Sequence, residues 1–235
     1  MTRFATSSPH WKRWPRRMSD IKSPVSFTSD FLQVITSKTG SPTFTHQDWG
    51  SPELEAIRRH VRDHYRTAQN GYCAYCRGSV SIQSASNCHV EHIAPKSRYQ
   101  RFMFEPKNLC VVCADCNEIK REQEVTNEEP DTVRKGGGRK RYPRSSGAFK
   151  IVHPHFDVWD HHIQKFGPFF GDKTDKGHFT IGACKLNRHL RTFGWESEYD
   201  DAEISADAQA YLDNPDPAGR VQALQKLKSK LVLMR

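Results

Sequence analysis

Three runs decide how this chain is read: Tyr-Cys-Ala-Tyr-Cys at 72–76, Cys-His-Val-Glu-His-Ile-Ala-Pro-Lys-Ser at 88–97, and Pro-Lys-Asn-Leu-Cys-Val-Val-Cys-Ala-Asp-Cys-Asn-Glu-Ile-Lys at 106–120. Two Cys-x-x-Cys pairs, Cys73/Cys76 and Cys113/Cys116, bracket Glu91, His92 and Asn108, and Asn117 follows the last cysteine directly. A Cys-x-x-Cys turn sets two thiolates on one side of a metal ion, and a second turn brought back by folding completes a tetrahedral shell. The spacing therefore predicts a structural Zn²⁺ closing the loop from Arg77 to Val112 and holding a core too small to stand alone. Cys110 also stands in Cys-x-x-Cys spacing with Cys113, but it falls on the apolar run leading into the turn, so Cys113 and Cys116 are the preferred ligands.

In its order of motifs this stretch resembles the HNH endonucleases, the zinc-stapled branch of the ββα-metal nucleases. The match covers about residues 70–122: Cys-x-x-Cys, Glu-His-Ile-x-Pro, Asn-Leu, then Cys-x-x-Cys-Asn-x-x-Lys. The resemblance implies that Glu91 and Asn117 bind a catalytic divalent ion, that His92 is the general base, and that Asn108 orients His92. One departure is Glu91, where the family more often carries Asp.

The chemistry needs these residue types in any case. Hydrolysing a phosphodiester requires a water stripped of its proton, and a neutral imidazole suits that task near pH 7. It also requires positive charge at the developing transition state and leaving oxygen. Oxygen donors such as Glu91 and the Asn117 amide suit Mg²⁺ or Mn²⁺, whereas thiolates suit zinc. Neighbouring strand residues point to opposite faces, but at a strand end both can reach one site. Asn117 is expected in the first turn of a helix starting near Ala114, whose N-terminus favours phosphate.

The 235 residues carry a net charge of +9 and 36% hydrophobic content, enough for one modest core with basic extensions. Nothing resembles a membrane span or a secretory leader, and the cysteines left after the zinc set, Cys88, Cys110 and Cys184, fit a reducing cytoplasm. Lys12, Arg13, Arg16 and Arg17 alternate with Trp11 and Trp14 in an N-terminal extension, 1–50, read as partly disordered. Phe27 to Ile35 reads as a short packed element, and Trp49 as packing under the next helix. That helix is predicted over 51–70, with Ser51 as cap, Pro52 in the first turn, and an apolar stripe of Leu54, Ile57, Val61, Tyr65 and Ala68.

Val80–Ile82 and Cys88–Ile93 read as the strands of a hairpin. The loop 95–105 sets Lys96, Arg98 and Arg101 among Tyr99, Phe102 and Phe104, a mixture that suits nucleic acid. Lys96, Arg98, Lys120, Arg139, Lys140 and Arg141 are the candidate phosphate contacts, the last three in a glycine-rich basic loop within 123–150. The histidines at 153–162 admit a second metal site, though docking of the C-terminal part onto the core is preferred. His178–Ile181 reads as a strand, Asn187–Arg191 as a helix end, and 205–213 and 219–234 as two helices, the last with a stripe of Val221, Leu224, Leu227 and Leu231. Scattered residues here (His-Pro-x-Phe-Asp at 153–157, Lys-Gly-x-x-x-Ile at 176–181, Leu-Asn-Arg at 186–188) also resemble HNH effectors of Septu-like bacterial anti-phage systems, which implies an ATPase partner.

These readings combine into an α+β protein: a nuclease core at 51–122 with a four-cysteine zinc staple, surrounded by helices, and a mostly helical extension at 151–235. Its expected work is metal-dependent cleavage of DNA, most simply double-stranded, with a non-catalytic zinc-stapled nucleic-acid module or an RNA nuclease as alternatives.

Overall fold

The computed structural model describes residues 21–122, 141–194 and 202–233. The basic arm at 1–20, and Arg139 and Lys140, lie outside them.

Leu54, Ile57, Val61 and Tyr65 recur every three or four residues, which aligns them on one helix face. They fall on α2 (Glu55–Ala68) and the single 3₁₀ turn, Pro52–Leu54, before it, and all four are buried. Because that 3₁₀ turn intervenes, the Ser51 side chain makes no capping bond. The Ser51 and Trp49 carbonyls instead accept from the Arg58 guanidinium. The helix leaves through Asn70 and Gly71, at φ 53° and 74°, the left-handed region where glycine is unstrained. Ahead of it, α1 (Ser29–Thr39) is capped by Thr28, whose hydroxyl accepts from the Phe31 N–H. Phe31 packs its ring against His60 of α2.

Two short strands, β1 (His89–His92) and β2 (Leu109–Val112), pair antiparallel with His92 opposite Leu109 and Glu91 opposite Cys110. The expected partner of β1 was Val80–Ile82, which forms no strand, and Ile82 is 75% exposed. The chain there is spent on the first cysteine turn, where the Cys73 N–H donates to the Gly78 carbonyl. The wholly buried Leu-Cys-Val-Val run of β2 offers β1 a better face. Beyond β2, the buried Gln69 amide donates to the Val111 carbonyl and accepts from the Val111 N–H, both at 2.8 Å, so this strand leaves little backbone unpaired. α3 (Ala114–Lys120) follows β2 at once.

After Arg141 the chain runs through α4 (Trp159–His162), β3 (Ile163–Phe166), β4 (Phe169–Asp172), α5 (Asp175–Ala183), α6 (Arg188–Phe193), α7 (Ala202–Asp213) and α8 (Pro217–Leu233). β3 and β4 form an antiparallel hairpin. His178–Ile181 lies within α5 and is no strand. Thr174 caps that helix by accepting from the Gly177 N–H, and a Cβ on Gly177 would come within 1.9 Å of the His162 carbonyl oxygen. Asn187 begins α6 instead of closing a helix, and its amide clamps the Phe170 N–H and carbonyl. On α8, Leu224 and Leu227 are buried against α7 while Val221 is exposed, because the α7 contact reaches only part of the expected stripe.

One apolar cluster runs from Ile21 to Leu186, and a second joins Phe169 and Leu190 to α7 and α8. The histidine-rich stretch serves as a seam: His155 Nε2 lies 2.8 Å from the Leu109 carbonyl, and Trp159 Nε1 donates to the Tyr75 carbonyl. The architecture is mixed helix and small sheets. No helix among the described residues is long and apolar enough to cross a membrane.

His153 and His155 face that seam uncharged. Burial pushes His153 well below the ordinary histidine range and His155 down to about 4. A depressed folded pKa contributes stability above the unfolded value of about 6.5, which is lost as pH falls toward the folded value. Unfolding free energies from denaturant titrations between pH 7 and pH 5 are expected to fall by up to about 1.4 kcal/mol per pH unit per histidine. His155→Gln should flatten part of that slope, and an unchanged slope would contradict the seam's neutrality.

Candidate active site

Cys73 and Cys76 sit on a turn tightened by the Gly78 carbonyl and by Arg77 at φ 55°. Cys113 caps α3 and Cys116 lies in its first turn. All four thiols are buried, and their sulfurs lie within 4.8 Å of one another, with Cys76 and Cys113 at 3.7 Å. A tetrahedral ion with Zn–S near ~2.3 Å implies sulfur separations of ~3.8 Å. The Gly78 and Cys116 N–H groups point at the sulfurs of Cys76 and Cys113, as they do toward thiolates. The donor set fits a thiolate-loving metal ion. Cys110 is buried on β2 opposite Glu91 and stays outside this cluster. Among the described residues, these cysteines are the one set of three or more such side chains close enough to share a metal.

Directly beside this cluster, the end of β1 and the first turn of α3 face each other. Glu91, His92 and Asn117 line one cleft of about 380 Å³, with Lys96, Arg121 and Glu122 at its edges. Glu91 and His92 reach the same cleft because β1 stops at His92, where the Ile93 N–H turns to the Asn108 carbonyl. His92 is 5% exposed. Its Nε2 lies 3.1 Å from the Met103 carbonyl, which assigns the proton to that nitrogen and leaves the Nδ1 lone pair available. The Trp49 ring meets the imidazole edge-on at 4.6 Å. Burial first, then the Lys96 charge, hold the imidazole down to about 3, so it is neutral at pH 7.

Lys120, expected at a phosphate, is 1% exposed and sits beneath the cleft instead. Its ammonium lies 2.6 Å from Glu91 Oε1 and 3.4 Å from the His92 carbonyl. At four residues past Cys116, the last turn of α3 carries it back under β1. Asn108 is fully buried and reaches His92 only at one remove. Its Oδ1 accepts from the Ala94 N–H, and its Nδ2 donates to the carbonyls of Ala94 and Phe102. It thereby clamps the loop that presents the Met103 carbonyl. Lys96 is half-buried at the cleft, whereas Arg98 and Arg141 are exposed elsewhere. Tyr99 and Phe102 are core residues.

Over 83 residues the chain is 30% identical to the "Retron Vc95 putative HNH endonuclease" of Vibrio cholerae serotype O1 biovar El Tor. The match covers 34% of this chain and 39% of that protein. The likeness is partial. No family model matches the chain, and no solved structure matches it.

Trp49, the Met103 carbonyl, Arg121 and Glu122 are site residues that sequence reading missed. A backbone carbonyl leaves no trace in residue identity, and Trp49 lies 43 positions from the histidine it covers, as the numbering shows.

Two outcomes are expected here. The purified chain should hold about one zinc per molecule, and chelation should lower its melting temperature; zinc far below one per chain would rule out the staple. Asn108→Ala should cost about 2–4 kcal/mol in chemical denaturation, since three buried partners lose their bonds. An unchanged midpoint would refute the clamp.

Proposed function

We propose that this chain is a metal-dependent endonuclease of the HNH type, with DNA as substrate. The observation that carries the reading is the convergence of a neutral, fixed imidazole, a carboxylate and an amide oxygen on one cleft beside a four-thiol centre. The partial likeness to a protein named as an HNH endonuclease points the same way. The β1–β2–α3 succession then corresponds to the ββα unit of that family.

In this reading His92 accepts the proton of the attacking water at Nδ1, while Nε2–H stays on the Met103 carbonyl and keeps the ring from turning. Lys120 holds the Glu91 carboxylate in place, and Asn117 offers its amide oxygen from the first turn of α3. These oxygen donors fit Mg²⁺ or Mn²⁺, which keep several waters and rely on few protein ligands. Such an ion supplies positive charge to the transition state and to the leaving oxygen. Lys96 meets the scissile phosphate at the cleft edge. The cysteine cluster, as a structural zinc, keeps β2 and α3 at their mutual angle and takes no part in the chemistry.

Plasmid cleavage in Mg²⁺ or Mn²⁺ tests this. His92→Ala is expected to lower the rate by about 10²–10⁴-fold with zinc content unchanged and the protein still folded at the assay temperature. Equal cleavage by both proteins would remove His92 from the mechanism, and faster cutting of structured RNA than of DNA under the same conditions would overturn the choice of substrate.

A further inference from the structure

Hydrolysis at the cleft leaves one set of side chains without a role. Trp49, which covers His92, lies 5.7 Å from Phe104, and Phe104 lies 6.4 Å from Phe44 in a plane only 27° away. All three rings are half-buried. Their neighbours on the same loop, Tyr99 and Phe102, are buried in the core, whereas Phe104 packs against that core and stays partly exposed. Phe44 and Phe104 line a groove of about 710 Å³ with Ile35, Arg98 and Arg101, and both arginines are exposed.

The platform is held rigid. The Gln100 side chain donates to the Phe44 carbonyl at 2.8 Å and ties the two loops together. Thr45 and Asp48 close a capping box directly after Phe44. Glu105, which also lines the groove, accepts from the Lys107 N–H. Cationic side chains beside aromatic faces that are fixed in advance match the chemistry of an unpaired nucleotide. Its base stacks on the ring, and its phosphate meets the guanidinium groups. A paired base in a duplex has no free face to offer.

We propose that this groove binds an unpaired nucleobase of the substrate strand, stacked on Phe44 and Phe104, with the flanking phosphates on Arg98 and Arg101. The inference rests on the nuclease reading and deepens it. The row of rings from His92 through Trp49 and Phe104 to Phe44 sets the stacked base a short reach along the strand from the scissile phosphate. The chain therefore favours DNA that carries a single-stranded or bulged nucleotide beside the cut.

The test is fluorescence anisotropy of the full chain, without added Mg²⁺, on three labelled DNAs: a short single strand, its duplex, and that duplex with one unpaired nucleotide. The unmodified chain is expected to prefer the first and third over the second. Phe44→Ala should weaken both by about tenfold and erase that preference, and Phe44→Trp, which keeps a stacking face, should restore it. Melting temperatures within a few degrees show that the fold survives. Loss spread equally over all three DNAs, no loss at all, or failure of Phe44→Trp to restore the preference overturns the proposal. Binding of none of the DNAs overturns it too and leaves a protein segment as the occupant. Plasmid cleavage by Phe44→Ala is measured alongside. Cleavage that persists with unaltered DNA preference sinks the stacking site alone, whereas absence of His92-dependent cleavage sinks the nuclease reading.

Discussion

Four sulfurs brought within 4.8 Å of one another are the constraint on which the rest of this molecule depends. They join two turns that lie 37 positions apart, at Cys76 and Cys113, and so fix both ends of a loop that carries β1, the 93–108 connection and β2. Four-residue strands are too short to hold a sheet by themselves. Here β2 runs straight into Cys113, and Cys113 caps α3. Any force that keeps the sulfurs together therefore also sets the angle between strand and helix, and the cleft lies in that angle.

Electrostatics inside the cleft follow from burial. A buried carboxylate and a buried ammonium are each costly alone and tolerable as a pair. Glu91 and Lys120 are that pair, one from β1 and one from the end of α3. The arrangement spends a lysine on orientation beneath the site and leaves Lys96 and Arg121 as the cations lining it. His92 is kept neutral by the same burial, and among the described residues its hydrogen-bond partner is a main-chain carbonyl that cannot take up its proton. An uncharged imidazole held by one hydrogen bond is what the proposed water activation calls for.

The C-terminal half contributes through the same kind of device used in the first half. Side-chain amides stand in for missing strands: Gln69 pairs both polar groups of Val111, and Asn187 does so for Phe170. The seam at His155 and Trp159 adds hydrogen bonds to the backbone of β2 and of the first cysteine turn. Sheets of two strands thus avoid unpaired buried backbone without growing larger.

Much of the site was legible in residue order. Metal-ligand spacing is a local property, so the four cysteines could be chosen from sequence, and the helical stripe from Leu54 to Tyr65 showed α2 for the same reason. Glu91, His92 and Asn117, which the resemblance groups together, line one cleft in the structure. What sequence left open, or misplaced, depends on contacts between distant segments. Strand pairing is one case: β1 takes β2 instead of Val80–Ile82, because a buried apolar run competes for it from across the loop. The helix at His178–Ile181 is another, set by a cap at Thr174 and by the space for Gly177 against His162. Lys120 looked like a phosphate contact until the last turn of α3 carried it under Glu91. The residues themselves determined which atoms are available for metal and proton chemistry. Only the tertiary structure decided which partner each atom meets, because a side chain's charge, exposure and orientation are properties of what packs around it.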